Sequence, residues 1–165
     1  MAKYAFFLGC IAPLRYPGLE KSTRVVSKKL GIDLVELEDA GCCPAPGVIR
    51  AFSKKTWLAA AARNLALAEK KGLPIVTVCN GCYGSLFEAA HELNHNKEEL
   101  AAANKVLAEI GMEYKGTTKV YHFAEVLYKE VGIDKIKAAV TNPLSYKVAT
   151  FYGCHFLKPS ALKCL

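Results

Sequence analysis

Two adjacent cysteines lie in a stretch whose neighbours favour a rigid bend. Cys42 and Cys43 follow a glycine and precede a Pro-Ala-Pro run. In a straight strand, neighbouring side chains point to opposite faces, so the two thiols could not reach one target. The glycine permits unusual backbone angles, and each proline fixes its own φ and restricts the residue before it. We therefore expect a bend that turns both sulfur atoms toward one partner.

Three further cysteines complete a set that could hold an inorganic centre. Cys10 ends an apolar run, and Cys79 and Cys82 form a Cys-Asn-Gly-Cys motif. Structural zinc takes four ligands in a closed tetrahedron, and a cubane iron–sulfur cluster also takes four thiolates. Five converging thiolates would instead suit a cluster of unusual shape, or one with a bridging sulfur. The chain is therefore predicted to be organised around a cofactor held by these five cysteines.

Three classes of function remain open on the residues alone. The first is an iron–sulfur protein that transfers electrons. The second is a zinc-binding structural or assembly module. The third is a cofactor-free thiol oxidoreductase that uses Cys79 and Cys82, because a Cys-x-x-Cys motif also occurs in thioredoxin-like redox sites. In the third class, Cys10 and Cys42 could be replaced with little effect.

Strand and helix patterns alternate along the chain and predict an α/β domain. The apolar runs that predict strands cover residues 3–8, 33–38, 74–78 and 147–152. The segments with helical spacing cover residues 18–30, 55–71, 83–93, 97–110, 122–131 and 133–140, and a loop is predicted over 12–17. This order indicates a mainly parallel, Rossmann-like sheet with flanking helices, in which ligands lie beyond the carboxyl ends of the strands. Because cysteines follow each predicted strand, we expect the thiols to share one edge of the sheet.

A short segment near the start of the chain recurs near its end. Residues 3–10 align without gaps with residues 147–154, and five of the eight positions are identical, including the final Gly-Cys. We interpret Cys154 as the first ligand of a second copy of the unit, whose other cysteines would need further residues. The predicted domains are a first cysteine-rich domain over 1–146 and the start of a second, truncated repeat over 147–165. We therefore expect a fragment, or a protein whose second half is a separate chain.

Length, composition and charge exclude several classes of protein. The chain has 165 residues, of which 52% are hydrophobic, which fits one folded domain and argues against disorder. No apolar run reaches the roughly 18 residues that a membrane span needs, and the first residues make a poor signal peptide. We therefore predict a cytoplasmic protein with reduced cysteines. Its basic pairs are scattered and no nucleic-acid motif accompanies them, which argues against nucleic acid as a partner.

The cysteine spacing resembles that of the cysteine-rich CCG-domain superfamily. Its pattern is a cysteine, a Cys-Cys pair and a Cys-x-x-Cys motif, and here 31 and 35 residues separate these parts. Many members place glycine after the pair, whereas this chain has Pro44-Ala45-Pro46-Gly47, which is similar to the branch formed by the B subunits of heterodisulfide reductase. Other segments that resemble this branch are Phe7-Leu8-Gly9-Cys10-Ile11, Arg15-Tyr16-Pro17-Gly18, Cys79-Asn80-Gly81-Cys82-Tyr83-Gly84 and Tyr152-Gly153-Cys154-His155. The resemblance covers nearly all of this chain, and only the first half of a usual B subunit.

The resemblance implies an activity, a cofactor and partners. Members of this branch carry two non-cubane 4Fe-4S clusters, one per repeat, and reduce the coenzyme M–coenzyme B disulfide to two thiols in one-electron steps during methanogenesis. No catalytic residue beyond the cluster ligands is implied. Electrons would come from an iron–sulfur partner of the kind that forms the C subunit of heterodisulfide reductase, supplied by a flavin subunit or a cytochrome. The implied ligands of the first cluster are Cys10, Cys42, Cys43, Cys79 and Cys82, and that of the second is Cys154.

The net charge of +7 has two interpretations. One is an ordinary surface with surplus lysine, and the other is attraction of an anionic ligand or an acidic partner. The implied substrate carries sulfonate, phosphate and carboxylate groups, which would give the charge a use. Arg15 and Lys158 lie near the cysteine loops and are the candidate contacts.

No role is predicted for the histidines or for Cys164. His91 and His95 have the i, i+4 spacing of a metal pair, but they lie in a polar stretch at a predicted helix end, so solvent exposure is expected. His122 is expected to be an ordinary helix residue, and His155 is left without a function. Cys164 has no counterpart in the first copy of the repeat and is predicted to be incidental.

Overall fold

A computed structural model describes residues 2–163, in which four parallel strands form one sheet. The strands are β1 (Ala2–Phe6), β2 (Ile32–Glu36), β3 (Ile75–Thr77) and β4 (Val120–His122). Their order across the sheet is β2-β1-β3-β4, with Ala2 opposite Ile32 and Ile75 opposite Val120. Non-sequential neighbours require crossover connections, which the helices supply. The predicted α/β class with a parallel sheet is thus confirmed.

Helices cover both faces of the sheet. They are α1 (Ile11–Arg15), α2 (Pro17–Leu30), α3 (Ile49–Phe52), α4 (Lys54–Lys70), α5 (Asn80–His95), α6 (Lys97–Ala108), α7 (Phe123–Glu125), a π-helical continuation (Val126–Val131), α8 (Ile133–Ala139) and α9 (Cys154–Leu157). Local signals set several ends. Gly31 ends α2 with a left-handed φ of 78°, and the Ser53 hydroxyl caps α4 by accepting the backbone N–H of Thr56.

The side chains of β1 alternate between two apolar cores, one on each face of the sheet. Ala5 and Phe7 belong to the larger core, which packs α4, α5 and α6 against the sheet. Tyr4 and Phe6 belong to the smaller core, which includes Leu30 of α2. This alternation is the period of two that a strand imposes. A strand buried on both faces is fixed in register, so the chain that leaves its carboxyl end is held in place.

One predicted strand is wrong and one strand was missed. Residues 147–152 form no strand, and Val148 and Phe151 are 79% and 95% exposed. Alternating apolar residues make a strand only where a neighbouring strand pairs with them, and this segment has no such neighbour in the described chain. The fourth strand is instead Val120–His122, of which the last residue, His122, is the first residue of a predicted helix. Three residues are too few for a clear periodic signal.

Smaller differences concern the helix boundaries. The predicted loop over residues 12–17 is wrong, since Ile11–Arg15 forms a short helix whose Pro13 lies in its first turn, where a missing N–H costs nothing. Helix α5 begins at Asn80, three residues earlier than predicted. No helix of the described chain is both long and apolar enough to cross a membrane. Cys164 lies outside the described residues.

Candidate functional site

Three neighbouring strands deliver five cysteines to one edge of the sheet. The chain leaves β1 toward Cys10, β2 toward the double cysteine and β3 toward Cys79, and the order β2-β1-β3 makes these exits adjacent. The five side chains line a single cavity of about 200 Å³. They are Cys10, Cys42, Cys43, Cys79 and Cys82. The structure therefore brings together the residues that spacing had grouped, and their role as ligands remains a prediction.

The remaining walls of this cavity are apolar or small. They are formed by Leu8, Ile11, Ala12, Ala45, Pro46 and Gly81. Such walls offer no polar side chain, so sulfur is the donor type that a bound group would meet. Thiolate sulfur is the ligand that iron–sulfur clusters use, and it also suits zinc. The donor set thus fits an iron–sulfur group. Within residues 2–163, no three His, Cys, Asp or Glu side chains are arranged to hold a single metal ion.

Hydrogen bonds link three of the thiols inside the cavity. A hydrogen bond with the Cys82 thiol lowers the pKa of Cys43. A second hydrogen bond with that thiol, together with the backbone N–H groups of Gly81 and Cys82, lowers the pKa of Cys79 to about 5. Burial opposes both shifts but is the smaller effect. Interaction with these two sulfurs raises the pKa of Cys82 itself, and burial raises it further. The Cys79 thiolate and the Cys43 sulfur, whose pKa is lowered, therefore flank Cys82, whose pKa is raised.

The other two thiols lie nearer the surface and interact with this group. Burial raises the pKa of Cys42, and the neighbouring sulfurs of Cys43 and Cys10 raise it further. Cys10 and Cys42 are solvent-exposed, whereas Cys43 and Cys82 are buried. The cysteines of the cavity therefore range from solvent-exposed at its opening to buried at its base. All six described cysteines are free thiols.

Helix α5 positions the Cys-x-x-Cys motif. Cys79 is its N-cap residue and Cys82 lies in its first turn, so both sulfurs are close to free backbone N–H groups and to the positive end of the helix dipole. Gly9 makes room on the opposite side. Its φ is +72°, and a Cβ atom there would lie 2.7 Å from the Cys82 sulfur. Glycine is therefore required by both backbone conformation and space.

Buried side chains fix the double-cysteine loop from behind. The Ser85 hydroxyl of α5 donates a 2.6 Å hydrogen bond to the carbonyl of Pro44. The same hydroxyl accepts a 2.8 Å hydrogen bond from the indole N–H of Trp57 on α4. Ser85 and Trp57 are fully buried, so this chain of bonds is shielded from water. Two helices thus hold the loop that carries Cys42 and Cys43.

The segment that carries Cys154 packs against α5. Of the described cysteines, Cys154 is the one that does not line the cavity, and it is exposed. Asn80 donates a 2.6 Å hydrogen bond to the carbonyl of Tyr152, and His155 covers Gly84. Lys163 is buried and donates hydrogen bonds to Glu88 and to the carbonyls of His155 and Lys158. The Lys163 ammonium therefore ties this segment to the helix.

A family model described as a cysteine-rich domain, CCG, matches residues 4–87, which include all five cysteines of the cavity. The chain belongs to this family. Over 97% of its length, the cysteine-rich chain is 56% identical to the B subunit of the ferredoxin/F(420)H(2)-dependent CoB-CoM heterodisulfide reductase of Methanosarcina acetivorans, covering 53% of that protein. It is 52% identical, with the same coverage, to the B subunit of the ferredoxin:CoB-CoM heterodisulfide reductase of Methanosarcina mazei.

This cysteine-rich chain also has a relative with a different name. It is 39% identical over 95% of its length to the 8-methylmenaquinol:fumarate reductase membrane anchor subunit of Wolinella succinogenes, covering 54% of that protein. The cysteine-rich chain thus spans about half the length of the curated relatives it matches. The crystal structure of a hypothetical protein from Helicobacter pylori aligns with a TM-score of 0.68 at 21% identity, over 77% of this chain and 25% of that one. This last likeness shows the fold alone.

The sequence did not reveal the side chains that support the cysteines of this domain. Ser85 bonds to Pro44 and Lys163 bonds to Glu88, 41 and 75 positions away, and Trp57 acts through Ser85, so no local pattern marks these side chains. Gly9 had a signal, because a glycine directly before a cysteine at the end of a strand favours a tight approach. The fold brings neither Arg15 nor Lys158 into the wall of the cavity.

The histidines are placed as follows. His95 is exposed, as expected, and its ring Nδ1 lies at hydrogen-bond distance from the carbonyl of His91, which is half-buried. The expectation that His122 is an ordinary helix residue is wrong. It ends β4, and its Nδ1 accepts the backbone N–H of Ala124 to cap α7, because the chain turns from strand to helix at this residue. His155 lies close enough to Cys79 for its charge to lower the pKa of that thiol slightly.

Proposed function

We propose that this domain holds one non-cubane 4Fe-4S cluster and serves in the B subunit of a heterodisulfide reductase that reduces the coenzyme M–coenzyme B disulfide to two thiols. The convergence of five cysteine side chains on one cavity carries the proposal. The names of the Methanosarcina relatives, at 56% and 52% identity, supply the substrate. The proposed ligands are Cys10, Cys42, Cys43, Cys79 and Cys82.

The cluster, when bound, would supply single electrons to the disulfide, which takes up two electrons and two protons in forming two thiols. The chain prepares the site for such a group in three ways. Cys79 is held as a thiolate near neutral pH, because Cys82 and two backbone N–H groups stabilise its charge and keep its pKa low. Apolar residues form much of the cavity wall, and Cys43 and Cys82 are buried behind them. Gly9 lets the Cys82 sulfur approach the backbone of the first cysteine loop.

The partners and the domain division are part of the same proposal. Electrons would arrive from an iron–sulfur subunit, supplied by a flavin subunit or a cytochrome. Cys154 would be the first ligand of a second cluster, and the residues from 147 onward would begin a second repeat. The exposed position of Cys154 leaves its thiol free for such a role. A cytoplasmic location would keep all of these thiols reduced.

Metal and sulfide analysis of the 165-residue chain, purified without oxygen, tests the cluster. We expect iron and acid-labile sulfide in near-equal amounts, and an electron paramagnetic resonance signal after oxidation in the presence of coenzyme M. Cys43→Ala should lose both elements. Cys154→Ala is the matched control, because this thiol does not line the cavity, and it should keep them. Zinc without sulfide in the unaltered chain would contradict the proposal.

One observation favours a second candidate, the cofactor-free thiol oxidoreductase. A Cys-x-x-Cys motif whose first thiol has a pKa of about 5 is the arrangement that such enzymes use for nucleophilic attack on a disulfide. Cys10→Ala separates the two functions. It removes a proposed cluster ligand and should abolish iron binding, whereas a thiol exchange reaction at Cys79 and Cys82 would survive it.

A further inference from the structure

The side chain of Asn64 bonds to the backbone of the double-cysteine loop at two places, Gly41 and Cys42. Its side-chain oxygen accepts a 3.0 Å hydrogen bond from the backbone N–H of Gly41, and its side-chain nitrogen donates a 2.9 Å hydrogen bond to the carbonyl of Cys42. Asn64 lies on α4, 22 residues further along the chain than Cys42, and is 1% exposed. Its amide is thus buried and both of its polar ends are engaged with this one stretch of backbone.

The two bonds span the backbone torsions that aim the Cys42 thiol. Between the Gly41 nitrogen and the Cys42 carbonyl oxygen lie the φ and ψ angles of both residues, and φ and ψ of Gly41 together with φ of Cys42 set the direction of the Cys42 side chain. Glycine restrains them least of all residues. Gly41 and Cys42 are themselves exposed, so packing does little to hold them. The amide of Asn64 is therefore the restraint on this part of the loop.

The residue before Asn64 holds the turn that precedes the loop. Arg63 donates a 2.8 Å hydrogen bond to the carbonyl of Asp39, a non-glycine residue with a φ of 63°. Successive residues of α4 thus fix successive parts of the chain between β2 and Cys42. We propose that Asn64 is a positioning residue that directs the Cys42 thiol into the sulfur cavity. The functional consequence rests on the proposed cluster, but the positioning itself does not.

A second asparagine provides a matched control. Asn104 on α6 makes the same two bonds to Tyr114, accepting from its N–H and donating to its carbonyl, both at 2.9 Å. It does not line the sulfur cavity. Asn64→Ala and Asn104→Ala therefore remove equivalent side-chain bonds, and only the first acts on a cysteine. A purely structural role of Asn64 predicts that the two variants behave alike at Cys42.

The first measurement uses the full chain, reduced and stripped of iron. Alkylation by iodoacetamide is followed at each cysteine by peptide mass spectrometry, with Cys154 as the internal reference. We expect Asn64→Ala to change the Cys42 rate relative to Cys154 by about fivefold, the equilibrium effect of one net hydrogen bond. Asn104→Ala should leave that ratio unchanged. Equal ratios in both variants and the unaltered chain would overturn the proposal.

The second measurement uses the chain carrying its cluster. We expect Asn64→Ala to alter the electron paramagnetic resonance signal, because one sulfur is displaced, and Asn104→Ala to preserve it. If the unaltered chain takes up no iron, the proposed function fails, while the alkylation ratio still decides the role of Asn64. Should Asn64→Ala not fold, Asn64→Asp replaces it. It keeps the bond from Gly41 and loses the bond to Cys42, so an unchanged alkylation ratio in this variant would likewise overturn the proposal.

Discussion

Gly9 and Cys82 approach so closely that no side chain fits between them. A Cβ atom on residue 9 would lie 2.7 Å from the Cys82 sulfur, well inside normal contact. The two residues are 73 positions apart and belong to the exits of adjacent strands, β1 and β3. Their contact therefore joins the first cysteine loop to the Cys-x-x-Cys helix. The glycine that precedes a proposed ligand therefore has a structural role of its own, which is to let these two parts of the site pack against each other.

Gly9→Ala should destabilise the fold and disturb the sulfur site. The left-handed φ and the contact with sulfur together should cost about 2–4 kcal/mol in the free energy of unfolding. Gly72→Ala is the control, because Gly72 has a φ of +64° but an added Cβ would meet nothing within 4 Å. It should cost about 1–2 kcal/mol. Denaturant unfolding measures both, and iron content should fall in the first variant alone. Equal losses in the two variants would contradict this interpretation of the contact.

Cys79 should react as a thiolate in mildly acidic solution. Its pKa of about 5 lies below that of an ordinary thiol, so iron-free protein should be alkylated at Cys79 even at a pH where other thiols are slow. The same shift affects stability. A lowered pKa contributes stability above the ordinary thiol value, and this contribution is lost as pH falls through about 5. Cys79→Ser should remove the acidic step in thiolate absorbance. Its persistence would assign the step to another cysteine.

Lys163→Met should release the segment that carries Cys154. The Lys163 side chain is fully buried, and its ammonium lies 3.2 Å from Glu88. Glu88 keeps a second ion pair, with Arg50 at 2.8 Å, so the loss of the Lys163 hydrogen bonds should cost about 1–3 kcal/mol. Limited proteolysis should then cut between residues 141 and 160 faster than in the unaltered chain. Lys115→Met is the control, because its pair with Glu113 is 4.0 Å long and largely exposed, and it should cost under about 1 kcal/mol. Similar cleavage in both variants would argue against the anchoring role.

Glu69→Ala should loosen the approach to β4. The Glu69 carboxylate accepts three hydrogen bonds of 2.7 Å, from the backbone N–H groups of Lys115 and Thr117 and from the Thr117 hydroxyl. Their loss should cost about 1–3 kcal/mol. Faster amide hydrogen exchange at residues 115–122 is the measurement. Because β4 carries none of the cysteines, the sulfur cavity should keep its alkylation pattern, and a change there would show that the two regions are coupled.

The fold was predictable where local patterns agree with tertiary structure. The strand that ends before Cys79 is a short β-branched run, and this pattern located it. The helix that precedes β2 ends at a glycine, and that residue located its end. The same rules predicted a strand over residues 147–152, where the pattern is good but no pairing partner exists in the described chain. They missed Val120–His122, whose pairing with β3 is set by the sheet and not by its own three residues.

The grouping of the cysteines was predictable, but their support was not. Parallel strands place successive loops at one edge, and this rule suffices to bring Cys10, the double cysteine and Cys79 together. The double-cysteine loop is held by bonds from Asn64 and Ser85, which are 22 and 41 residues from their partners in the loop. Such contacts follow from the packing of α4 and α5 and leave no trace in residue spacing.

Trp57 gives the molecule a built-in optical reporter. It is the sole tryptophan of the sequence, it is fully buried, and its indole N–H is linked through one hydroxyl to the loop that carries Cys42 and Cys43. Emission excited at the red edge of the indole band therefore comes from a single place, directly behind the sulfurs. Arrival of a coloured inorganic group should quench that light by energy transfer, so loading of the site can be followed in real time without any added label.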